Sequence, residues 1–357
     1  MLTKLDELLV PPDPNIEYDC SNIRKSKGFT LLMKLVLLTK EYPELNGEIK
    51  KYITGNKSAV NKSNEKGWTS LMLACRNSNI KSTETTIKML IDAGADLNLK
   101  NNDGRTALMM ACRNSTKESS ENTVKMLIDG GADINLKEPD GWTALMFACR
   151  YSNTDSTENT VKMLIDGGAD VNLTENNEWT ALIFACRYSN TDSTENTVKM
   201  LIEVRSDVNL KTNDGWTALM VACKFSKDNI VKILINADAQ ISIKKISIMQ
   251  PLKSTRMKII IEHYRNNVIK EYIKKSNYIN VIKHIPYLIN NFRFKFGGIY
   301  QKISQYEWKL RIQNIPNEEI FNEIQKENKI ILDYLDIYSP NEINKLSEFV
   351  NFWQSNK

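Results

Sequence analysis

The sequence predicts an all-α fold: a solenoid of helix-turn-helix units joined by turn or hairpin fingers, followed by a helical C-terminal region. Three observations predict it. A hexapeptide recurs at a constant interval of 37 residues, beginning at 67, 104, 141, 178 and 215. Apolar residues fall at helical spacing twice within each interval. The composition is that of ordinary globular protein, with 41% hydrophobic and 25% charged residues, 14 Gly and 9 Pro in 357 residues. Such proportions argue against disorder or a fibre, and the length accommodates a long repeat array.

Residues 1–27 read as an N-terminal cap or tail, a short amphipathic stretch that meets Pro11-Pro12-Asp13-Pro14. Acids inside that stretch disqualify it as a signal peptide. No apolar run approaches the roughly 18 residues that cross a bilayer. The array follows over 28–264. A weaker first copy, Gly28-Phe29-Thr30-Leu31-Leu32-Met33, precedes Gly67-Trp68-Thr69-Ser70-Leu71-Met72, and Gln250-Pro251-Leu252 marks a degenerate partial copy after the sixth repeat. In the fourth repeat Thr143 is a natural N-cap, and Leu145, Ala148 and Cys149 form one apolar face. Ser156-Thr157-Glu158 starts a second helix with an acid in its first turn, and Val161, Leu164 and Ile165 give its apolar face. Gly168 suits a left-handed stop. Neither helix can bury its face alone, whereas stacked neighbours can.

These residues resemble the ankyrin repeat. Gly94-Ala95-Asp96-Leu97-Asn98, Gly131-Ala132-Asp133-Ile134-Asn135 and Gly168-Ala169-Asp170-Val171-Asn172 match that family's exit from its second helix. The Trp-Thr-Ala-Leu-Met-x-Ala-Cys-Arg variant is similar to ankyrin proteins of giant DNA viruses of amoebae. The departures are specific. Ala stands where the family has Pro at the first helical position in four repeats, and Met or Ile replaces its His. Four extra residues separate the two helices, except in the last full repeat. The exits at Val204-Arg205 and Ala237-Asp238 have lost their glycines, which predicts strain there.

Several columns repeat in register. Cys75, Cys112, Cys149, Cys186 and Cys223 form one. Packed helices sit roughly 8–10 Å apart whereas a disulfide needs Cα atoms within about 7 Å, so buried apolar filler is expected, not a redox or metal ladder. The next two positions hold Arg76, Arg113, Arg150, Arg187 and Lys224, then Asn77, Asn114, Tyr151, Tyr188 and Phe225. The finger position holds Phe29, Trp68, Arg105, Trp142, Trp179 and Trp216. In ankyrin repeats these positions resemble the variable, partner-facing surface, and Trp, Tyr and Arg dominate binding hot spots. The alternative is that the indoles pack on neighbouring turns and the arginines are merely solvated. The expected site is therefore Trp68, Arg105, Trp142, Trp179, Trp216, Arg113, Arg150, Tyr151, Arg187, Tyr188, Lys224 and Phe225, centred on Trp142 to Phe225, and its cations favour an acidic partner. Lys88, Lys125, Lys162 and Lys199 each precede an acid by four residues and predict weak surface ion pairs. Asn98, Asn135, Asn172 and Asn209 match the asparagine-hydroxylation pattern of ankyrin repeats, against the plainer reading that each satisfies turn backbone.

Residues 265–357 are expected to form the helical C-terminal region. Between 244 and 311 stand 15 basic and 3 acidic side chains, interleaved with aromatics. That pattern suits nucleic acid or an anionic membrane surface, and equally a helical cap with solvated lysines. Ile315-Pro316-Asn317-Glu318-Glu319-Ile320 resembles the opening of F-box-like modules, which would recruit a ubiquitin ligase. Ser339-Pro340-Asn341-Glu342 is a capping box for a last helix. With only His263 and His284, no phosphate-binding loop and no nucleophile or metal-ligand spacing, an enzyme or a cofactor is not expected. The sequence thus predicts a non-catalytic, monomeric, intracellular binding protein, in the host cytoplasm if viral. A ubiquitin-ligase adaptor is the alternative, and attachment to nucleic acid or membrane a further one.

Overall fold

In the computed structural model of the protein, residues 7–21 and 24–240 are described. The partial repeat at 250–252, the basic stretch 244–311, both histidines, the F-box-like hexapeptide and the region 265–357 lie outside them. An antiparallel strand pair, β1 (Tyr18–Ser21) and β2 (Arg24–Ser26), precedes six helix pairs. These are α1 (Leu31–Val36) with α2 (Leu45–Gly55), α3 (Ser70–Arg76) with α4 (Glu84–Asp92), and α5 (Ala107–Arg113) with α6 (Glu121–Asp129). Then come α7 (Ala144–Tyr151) with α8 (Glu158–Asp166), α9 (Ala181–Tyr188) with α10 (Glu195–Glu203), and α11 (Ala218–Phe225) with α12 (Asp228–Asn236). First helices stack on first helices and second on second, so the chain forms two helical layers. Tyr18 packs on Phe29 with ring centroids 5.4 Å apart, holding the strand pair against the first repeat.

Every first helix begins in the same way. Thr143 Oγ1 accepts the Met146 N–H at 3.3 Å, and Thr30, Thr69, Thr106, Thr180 and Thr217 cap their helices identically. Such caps are worth about 1 kcal/mol each. Second helices α4, α6, α8 and α10 are capped by Thr83, Ser120, Thr157 and Thr194, whereas α2 after Glu44 and α12 after Lys227 have no side-chain cap. Leu145, Met146, Phe147, Ala148 and Cys149 of α7 are all buried, against Val161 and Leu164 of α8.

The extra residues between helices turn out to be glue. Ser152 Oγ lies 3.2 Å from Ser193 Oγ and accepts the Thr197 hydroxyl at 2.8 Å, all three buried. Ser115 bonds in the same way to Ser156 and Thr160, and Ser78 to Ser119 and Thr123. The exits form a second ladder. Asn98, Asn135 and Asn172 each accept, through Oδ1, the backbone N–H of the next repeat's Asp133, Asp170 or Asp207 at 2.8 Å. Each also donates its own N–H to the Asp two residues before it. The asparagine column therefore satisfies turn backbone and ties repeat to repeat.

The altered glycine sites adopt the backbone of the residues they replace. Arg205 (φ 63°) and Asp238 (φ 59°) occupy the left-handed stop that Gly168 (φ 93°) fills upstream, and Glu178 (φ 62°) takes the finger position of Gly141 (φ 87°). Left-handed backbone costs an L-residue roughly 1–2 kcal/mol. The two glycine positions differ in what surrounds them. A Cβ on Gly141 would lie 2.8 Å from Glu175 Cα, whereas one on Gly168 would meet nothing within 4 Å. Of the predicted lysine pairs only Lys125–Asp129 closes, at 2.9 Å. Lys199 turns instead to Glu195, one turn back on the same face, also at 2.9 Å. That contact leads the effects holding the Glu195 carboxyl below its ordinary pKa.

Candidate binding face

The first-helix layer ends in a row of cations, since an Arg or Lys in the last turn complements the helix dipole. From the fourth repeat onward each repeat also brings aromatic rings to this row, and the stacking interleaves them with the cations. Arg150 Cζ lies 5.1 Å from the Tyr151 ring, 4.4 Å from Tyr188 of the next repeat and 5.5 Å from Trp142. Arg187 lies 5.3 Å from Tyr188 and 3.8 Å from Phe225. Arg113 lies 5.6 Å from Tyr151, and Lys224 Nζ lies 5.1 Å from Trp216 and 5.2 Å from Phe225. Arg113, Arg150, Arg187 and Lys224 thus rest on rings of their own or the next repeat, a contact worth about 0.5–1 kcal/mol where solvent reaches it.

The finger tryptophans divide. Trp142 stacks against Phe147 at 5.0 Å and Phe184 at 4.2 Å, and Trp179 against Phe184 at 5.1 Å, all tilted. Trp142 thus packs on the next repeat and Trp179 on its own, yet both stay partly exposed, as does Trp216. Trp68 is only 3% exposed and offers almost no surface. Arg105, in the Trp register, holds buried Glu138 at 3.6 Å and lies 5.6 Å from the Phe147 ring. Burial pushes the Glu138 carboxyl above its ordinary pKa, and the Arg105 charge opposes this. Phe147 and Phe184 are floor residues that the sequence reading missed. Their column runs Leu73, Met110, Phe147, Phe184, Val221, and its swelling in the middle was the available signal.

The charges at the ends of the row differ. Arg76 meets Glu118 at 2.6 Å and Lys117 meets Asp155 at 2.6 Å. Arg113, Arg150 and Arg187 form no ion pair among the described residues; their contacts are the aromatic faces. Arg150 Nε is buried without a hydrogen-bond partner. Behind the row the five column cysteines are fully buried, and desolvation raises the pKa of Cys75, Cys112, Cys149 and Cys186. They fill space between first helices.

A family model described as ankyrin repeats (3 copies) matches residues 41–138, 81–174, 116–195 and 155–245, together more than half the chain. The chain belongs to the ankyrin-repeat family. That family is a general protein–protein interaction module and is generally non-catalytic. An ankyrin repeat protein of Acanthamoeba polyphaga mimivirus is 37% identical over 82 residues, which are 23% of this chain and 13% of the relative. A second from the same virus is 43% identical over 75 residues, 20% of this chain and 14% of that protein. The match therefore spans only a small part of these relatives. Among solved structures, the ankyrin repeat domain of Bcl-3, a member of the IkappaB family, is 26% identical with a TM-score of 0.47. It covers 57% of this chain, which covers 81% of it. No helix among the described residues of this ankyrin array is long and apolar enough to cross a membrane.

Proposed function

We propose that the ankyrin array docks a protein on its first-helix face between Arg113 and Phe225, and that this partner is acidic. One observation carries the reading: Arg113, Arg150 and Arg187 are held on aromatic faces with no carboxylate of the described chain paired to them. A guanidinium fixed on a ring keeps its hydrogen-bonding edge open, and its side chain is already ordered before a partner arrives. Similarity to mimivirus ankyrin proteins supports a viral protein that engages a factor of its host inside the cell. The ubiquitin-ligase and nucleic-acid or membrane readings rest on residues after 240, and nothing in the described array favours them.

The test is capture from host cells by the full chain and by an Arg150→Ala, Tyr188→Ala, Arg187→Ala variant. The partner should be lost from the variant, and capture by the parent should weaken as salt screens the attraction. Unchanged capture by the variant would remove this face from the function.

A further inference from the structure

The face has one break. In repeat four the Trp142 indole fills the space against Phe147 and Phe184. One repeat earlier the same two registers hold Arg105 and Met110, an extended cation and a thin thioether in place of an indole on a phenyl ring. A cleft of about 310 Å³ opens there. Trp68, Met110 and Phe147 line it with the little apolar surface they leave uncovered, 3%, 4% and 6% of each residue, and Arg105 and Arg113 border it. Of the three carboxylates that line it, Glu118 and Asp155 are occupied by Arg76 and Lys117, and Asp103 accepts from Asn101 Nδ2 at 3.4 Å. The volume sits at the bottom of the range for small-ligand pockets, roughly 300–1,000 Å³, and suits one inserted side chain.

The spacing of the arginines adds a second constraint. Arg113 and Arg150 share the Tyr151 ring at 5.6 and 5.1 Å, so they stand no more than about 11 Å apart. Arg150 and Arg187 share Tyr188 at 4.4 and 5.3 Å, which limits them to about 10 Å. Packed helices set the step at roughly 8–10 Å. A polyproline II chain advances about 3.1 Å per residue with three residues per turn, so every third side chain points the same way after about 9.3 Å. A β-strand returns to the same face after about 6.7 or 13 Å, and neither matches.

Resting on the docking face described above, we propose that the occupant is an extended acidic peptide in polyproline II conformation. It places one apolar side chain in the cleft between Trp68 and Phe147. Carboxylates three and six residues away, in either chain direction, meet Arg150 and Arg187. Charge complementarity selects the acids, and the break in the Trp–Phe stack selects the anchor.

The experiment is fluorescence anisotropy of the full chain with labelled Leu-Pro-Pro-Glu-Pro-Pro-Glu and its reversed sequence. At least one should bind about tenfold more tightly than its Gln-for-Glu counterpart, the size expected for charge-assisted bonds. Moving the acids to every second residue should cost several-fold, as should Gly in place of Leu. In the chain, Arg105→Trp would fill the cleft; it should abolish the preference for Leu over Gly and keep that for Glu over Gln. The peptide changes leave the protein untouched, so a misfolded variant cannot obscure the result. Affinity that ignores acid spacing and the Leu anchor overturns the proposal. So does failure of every acidic peptide. If that failure accompanies loss of captured partner in the arginine variant, the docking face stands without this occupant; if the variant loses nothing, the face itself falls.

Discussion

Two polar ladders run along the array, and they end differently. On the exit side, Asn98, Asn135 and Asn172 each hand an oxygen to the next repeat's backbone at 2.8 Å, so the ladder closes on itself. On the first-helix side, Arg113, Arg150 and Arg187 rest on rings and pair with no acid of the described chain. Both columns look alike in sequence, one polar residue every 37 positions. The difference teaches what to ask of any repeated polar residue: whether the neighbouring repeat already supplies its partner. Where it does, repetition reports stability; where it does not, repetition reports a surface with unused hydrogen-bonding capacity.

The finger and exit side should respond most strongly in stability. Gly141→Ala combines left-handed backbone with a Cβ 2.8 Å from Glu175 Cα. It should cost about 3 kcal/mol in urea unfolding, strain plus displacement of the next finger. Asn135→Ala removes the acceptor of the Asp170 N–H and the Nδ2 bond to Gly168 O. That site is exposed, so water substitutes in part, and the loss should be about 1 kcal/mol with partner binding unchanged. Binding lost with Asn135→Ala would blur the division between the ladders. At the smallest scale, Arg205→Gly should stabilise by about 0.5–1 kcal/mol, since it relieves a left-handed side chain at a position where glycine stands upstream. A destabilising result would mean that the Arg205 side chain makes up for its backbone.

Much of this was legible in the residues. The interval, the Thr143-type caps and the left-handed stop at Gly168 follow from local chemistry, which each repeat states anew. The strained exits at Arg205 and Asp238 were legible by contrast with Gly168, because only backbone conformation was at issue. What sequence could not apportion was contact between repeats. Trp68 and Trp142 share a register, yet one is buried and the other is partly exposed against Phe184, because the residues one repeat along differ. Four inserted residues read as a longer loop; the pairing of Ser152 with Ser193 and Thr197 that makes them adhesive depends on stacking geometry. The lysine column, read as a solvated face with weak ion pairs, has acids one turn away in both directions, so sequence does not say which one closes: Lys125 meets Asp129, whereas Lys199 meets Glu195.

The most direct test measures stability and binding on one variant, Arg113→Gln, Arg150→Gln, Arg187→Gln, beside Asn135→Ala. Removing the three half-buried guanidiniums forfeits cation–π contacts worth about 0.5–2 kcal/mol each and no ion pair of the described chain. The triple variant should therefore stay folded, with a modest shift in urea midpoint, and lose acidic-partner binding by at least about tenfold. An unfolded triple variant, or one that binds as the parent does, would contradict the account: the arginines would then be structural, and this ladder no different from the asparagines.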